Sequence, residues 1–182
     1  MHSRATNVLI AAILLFALTG CSSPTDSAAA QAAPRACSVA VRTLSDAVVN
    51  AARSKAKLAS ALTAVSHIDP SASDWYELGS QTQIFTFDYL SVAAADKTLA
   101  GMTTAGYSEA LRNSADWMTL SARASTTVGG SATIMTKHPG QGLAAFSESV
   151  NNFSDASKHA DSALHSANVM WTEKGYSTCN EE

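Results

Sequence analysis

Charge is scarce in this chain. Asp, Glu, Lys and Arg make up 15% of its 182 residues, and the formal net charge is −3. Twelve basic side chains without a cluster exclude the electrostatic footprint of a nucleic-acid-binding protein. Aromatic residues are also few, at 7%, so any core must be built largely from small aliphatic side chains. No apolar run reaches the roughly twenty residues that a membrane-spanning helix needs. The longest, Val8 to Leu18, has about eleven. Three cysteines are present, none in a CxxC pair, which excludes the dithiol redox motif and the paired-cysteine zinc site. HExxH, CxxCH, GxSxG, P-loop and GxGxxG patterns are absent, and no Glu-x-x-His repeat offers a di-iron site. No nucleophile, base and oxyanion donor come together, so the expectation is a non-enzymatic protein without metal or cofactor.

What the sequence does contain begins with an address. Met1 to Arg4 carries one fixed positive charge, Val8 to Leu18 is the length of a signal-peptide apolar region, and Leu18-Thr19-Gly20-Cys21 follows. An aliphatic residue, two small residues and a cysteine resemble the lipobox of bacterial lipoproteins. The resemblance implies cleavage before Cys21, a diacylglyceryl group on its thiol and an extracytoplasmic, lipid-anchored location at a cell membrane. Residues 1–20 are therefore read as signal peptide. Residues 21–36, with small polar side chains and two prolines, are read as the lipidated cysteine and a flexible tether. Losing the leader removes Arg4 and no acid, leaving eleven basic against fifteen acidic side chains, about −4.

Residues 37–182 are enough chain for one domain. Cys37 and Cys179 form an even pair in an exported protein, which reads as a disulfide. Between them runs a 3-4 apolar spacing. It picks out Val41, Leu44, Val48, Ala51, Lys55, Leu58, Leu62 and Val65; then Trp75, Leu78, Thr82, Phe85, Tyr89, Val92, Asp96 and Leu99; and last Leu143, Phe146, Val150, Phe153, Ser157, Ala160, Leu164, Ala167 and Trp171. A less regular seam, with Leu111, Ala115, Met118 and Ala122, falls in a helix over about 107–127. Asp69-Pro70 ends the first helix, and Asp74, with Glu77 three residues on, is positioned to cap the second. Gly101 and Gly106 bracket the next turn, and Gly129-Gly130 ends the third helix. The fold expected is an all-α, up-down-up-down four-helix bundle. An even number of helices brings both termini to one end, where the disulfide can close.

Polar residues on the seams carry register information. If Cys37 lies opposite Cys179, Lys55 lies level with Asp161, and the two should approach. Asp96 should form a rim salt bridge with Arg42. Asp155 and Asp161 precede His159 and His165 by four residues, which reads as solvated helix pairs rather than metal ligands.

The segment Val128 to Gly142 reads as a long outer loop. Its Ile134, Met135, Lys137 and His138 are candidate contacts for an envelope protein or external partner. His138-Pro139 matches the His-Pro element of small disulfide-bonded helical haem carriers only as a dipeptide, without a flanking tyrosine. Phe85, Tyr89, Phe146, Phe153 and Trp171 are candidates to line a cavity, although the favoured reading is that they fill the core, large against the small facing alanines. Two functions follow. The first is an envelope interaction module. The second is a binder of a small apolar ligand or haem-like cofactor, with an accessory or sensor subunit of a membrane complex as a further alternative.

Overall fold

A computed structural model describes residues 26–67, 69–103, 105–138 and 140–173. Cys21, the leader and Cys179 lie outside them. The chain divides into two compact units, Met1–Ala33 and Pro34–Glu182, and the packing described below belongs to the second. The described residues form four helices and no strand: α1 (Asp26–Val65), α2 (Ala72–Ala100), α3 (Ala105–Lys137) and α4 (Leu143–Glu173). None is long and apolar enough to cross a membrane.

Two helices run beyond the sequence reading, one for a local reason and one through packing. The bounds of α1 take in residues 26–36, expected as coil. This stretch is alanine-rich, and alanine has the highest helix propensity of any residue, set here against the cost of Pro34. At the other extreme, α3 continues through Gly129-Gly130 to Lys137, so most of the expected outer loop is helix. Gly129 is an interhelical contact rather than a break: a Cβ there would collide with the Oγ1 of Thr82 on α2. Val128 just before it and Ala132 and Met135 beyond it are buried and hold the extra turns onto the core. The two glycines each cost roughly 1 kcal/mol of helix propensity, and this burial offsets it. The remaining connection is short, and Gly140 and Gly142 take φ of 82° and 86°, a region that suits glycine.

The cap of α2 lies one turn earlier than expected. Ser71 is the N-cap: its Oγ accepts from the Asp74 N–H at 3.3 Å, and the Ser71 N–H donates to Asp74 Oδ2 at 2.8 Å. The Ser71 hydroxyl, donating to Asp74 Oδ2 at 2.7 Å, and then the Ser71 N–H hold the Asp74 carboxyl below its ordinary pKa of 3.8.

One core cluster draws on all four helices, from Ala51 and Leu58 through Phe85 and Met118 to Phe153 and Ala160. Phe85 stacks on Tyr89 with ring centroids 3.8 Å apart and meets Phe153 edge-on at 5.1 Å. Trp75 meets Phe146 edge-on at 5.0 Å. Alanines fill about half of the buried apolar positions among the described residues, so the rings interlock with small neighbours. Thr86 Oγ1 lies 2.6 Å from Ser125 Oγ, Lys97 Nζ is 3.9 Å from Asp116, and Ser108 Oγ donates to the Ala100 carbonyl at 2.7 Å. Rising numbers on α2 thus meet falling numbers on α3. A second cluster joins Ala40, Leu99, Ala100, Tyr107, Leu111 and Ala167, with half-buried Cys37 and Trp171 against it. Cys37 is not a free thiol.

Two seam residues test the register. Lys55 Nζ contacts Asp161 Oδ2, with both side chains part-exposed at the α1–α4 rim, and the two approach each other as expected. Asp96 departs from expectation. It makes no rim pair with Arg42 but is fully buried, and neither carboxylate oxygen has a hydrogen-bond partner. Its position on the α2 seam, between Val92 and Leu99, fixes its direction, and a short aspartate cannot snorkel out as lysine does.

Candidate functional site

Alanine on facing helices leaves space where large side chains do not fill it. On α1 and α4 the second cluster buries Ala40 and Ala167, while Val41, Leu44, Val48, Leu164 and Trp171, expected to lie within the seam, are only half-buried. They wall an open groove of about 540 Å³, within the usual range of roughly 300–1,000 Å³ for small-molecule sites. Its floor is Leu99 of α2 with Tyr107 and Leu111 of α3, all buried. Ser45, Asp161, His165 and Asn168 form an exposed polar rim. Tyr107 and Trp171 lie with ring centroids 5.3 Å apart, tilted at 43°, giving the groove an aromatic corner.

Behind this floor sits Asp96, one turn from Leu99 on α2. Burial pushes its pKa up from 3.8 to about 7, and the neighbouring Ser114 hydroxyl opposes the shift. Asp96 in turn adds to the effect of burial on Tyr107, whose phenol is pushed up to about 12. The groove floor therefore backs onto a carboxyl that lacks ordinary compensation.

No protein-family model matches the chain, and no curated protein or solved structure shows significant similarity to it. Function has to be argued from geometry.

Of the five aromatic residues expected to line a cavity, Trp171 lines this groove. Phe85, Tyr89 and Phe153 are buried against one another, and Phe146 packs on Trp75. Burial, then the charge of Asp161, raise the Tyr89 pKa. The candidate partner-contact residues separate: Met135 is buried at 4% exposure, whereas Ile134 is 51% exposed and Lys137 and His138 face solvent. Asp155 pairs with Lys158 at 3.5 Å rather than with His159, whose ring stacks on Trp117 at 4.4 Å. No three potential metal ligands converge among the described residues.

The groove's walls were on the seam lists, but nothing in the 3-4 pattern separates a filled seam from an open one. The available signal was volume: Ala40, Ala47, Ala160, Ala163 and Ala167 concentrate small side chains on the two helices that face each other there.

A second surface stands on α2. Tyr76, Ile84, Phe87 and Leu90 are exposed, Tyr76 and Phe87 by 75% and 69%, although Leu78, Phe85 and Val92 bury the other side of the same helix. An amphipathic helix would carry polar groups there.

Proposed function

We propose that this chain is a lipid-anchored extracytoplasmic protein whose helical domain binds a small apolar ligand in the α1–α4 groove, without catalysing a reaction. The groove carries this reading. About 540 Å³ of apolar-walled space opens at positions the sequence pattern would otherwise bury. The anchor rests on the resemblance of Leu18-Thr19-Gly20-Cys21 to a lipobox. A bundle running up, down, up, down, with a Cys37–Cys179 disulfide joining its ends, fits the α2–α3 contacts and the Lys55–Asp161 pair. It also accounts for a Cys37 sulfur that is not a free thiol.

Native mass spectrometry of the protein from its own envelope tests the binder. The expected result is a non-covalent mass beyond the lipid on Cys21. A bare protein that also fails to bind the apolar dye N-phenylnaphthylamine would refute it. Cys21→Ser should abolish radioactive palmitate labelling, and persistent labelling would remove the anchor.

The exposed apolar side of α2 favours a second reading, an interaction module for an envelope protein. On that reading Phe87→Ser with Leu90→Ser should leave the fold intact and eliminate a cross-link to the partner. Retention of the cross-link would exclude this surface.

A further inference from the structure

We propose that the groove's occupant, granted the binding reading above, is a lipophilic cation: an apolar chain or ring system bearing an amine or quaternary ammonium group.

The argument is charge complementarity. The lining holds one acidic side chain, Asp161, and no Lys or Arg. The cation nearest that acid, Lys55, is already in contact with its carboxylate. A carboxylate or phosphate headgroup would therefore meet no lysine or arginine, only His165 and the neutral donors Ser45 and Asn168, and would lie beside Asp161. A cationic headgroup meets the reverse arrangement. Asp161 can accept it at the part-exposed rim in exchange for Lys55, and Tyr107 and Trp171 present aromatic rings at the groove's end, whose negative faces attract cations, most strongly where water is excluded. In an apolar, partly dry groove each contribution acts through a lower effective dielectric than in bulk water. The walls of Val41, Leu44, Val48 and Leu164 would cover the apolar part of the same molecule.

The test compares three ligands with one chain length and different heads: dodecyltrimethylammonium, dodecanol and dodecanoate, each below its micelle concentration. Each displaces N-phenylnaphthylamine from the full chain carrying Cys21→Ser, which removes the acylation point and no groove residue. The ammonium compound should displace the dye at a concentration at least about tenfold lower than dodecanoate, with dodecanol between them. In Asp161→Asn, which also leaves the Lys55 ammonium without its partner, the preference should shrink several-fold or invert while dodecanol is unaffected. Dodecanoate equal to or better than the ammonium compound overturns the cationic class but leaves an apolar site. An Asp161→Asn variant with undiminished preference overturns the charge argument. A chain that binds neither dye nor ligand fails at the earlier step, the binding reading itself.

Discussion

Replacing Asp96 with asparagine should make the protein more stable, and by an amount that grows with pH. Unfolded, this carboxyl titrates near 3.8; folded, burial moves it to about 7. An acid raised in the fold is bound more tightly to its proton there than in the unfolded chain. Its contribution is therefore fully present below about pH 4, falls as pH rises towards 7, and is constant above. The gap corresponds to roughly 4 kcal/mol at most, and relaxation around the charge reduces this to about 2–4 kcal/mol. Asparagine keeps the shape and leaves its own buried amide to be satisfied, an offset that does not depend on pH. The prediction therefore lies in the slope. Urea unfolding followed by helical circular dichroism should show the stability difference, Asp96→Asn minus wild type, rising by about 2–4 kcal/mol between roughly pH 4 and pH 8. Other titrating groups cancel in that difference. Parallel stability profiles for the two proteins would refute the argument, because they would mean that Asp96 titrates alike folded and unfolded.

Three further outcomes follow from the packing. Gly129→Ala should destabilise, by about 1–3 kcal/mol, because its Cβ meets Thr82. Gly130→Ala, one residue on with open space around it, should stabilise by up to about 1 kcal/mol; equal effects in thermal melts would contradict the close approach at Gly129. Phe85→Ala should cost about 3–5 kcal/mol in the same unfolding assay, given its full burial between Tyr89 and Phe153. A double-mutant cycle on Lys55 and Asp161 should return a coupling of no more than about 1 kcal/mol, since both side chains are part-exposed; a larger value would make the pair a main support of the fold.

Helix type and core were legible because a period close to 3.5 is a global property that survives single exceptions. Leu58, Leu78, Phe85, Met118 and Ala160 fall on the expected seams and are buried. The Lys55–Asp161 contact was legible because both residues interrupt or flank the helical seams at matching distances from Cys37 and Cys179 in the sequence. The end of α3 was not. In sequence, a Gly-Gly pair that breaks a helix is indistinguishable from one that lets two helices approach, and the decision belongs to Thr82, some fifty positions away. Asp96 was misplaced for a related reason. Its seam position was evident, but whether the rim lies within reach of a short side chain depends on three-dimensional depth. The groove eluded the pattern because partial burial leaves no trace in periodicity.

The alanine paving of the core has a mutational consequence of its own. Most cores are sensitive to losing atoms, and this one can lose few at its many alanine positions. Its exposure is to gain. Ala115, Ala122, Ala132 and Ala160 are wholly enclosed, and each has valine one nucleotide change away. Added methyl groups there must displace a neighbouring helix or force a strained rotamer, at a cost of about 1–3 kcal/mol apiece. Tolerance should thus be lopsided along the chain: permissive at the half-buried groove walls, where extra volume has somewhere to go, and strict at the smallest residues in the protein.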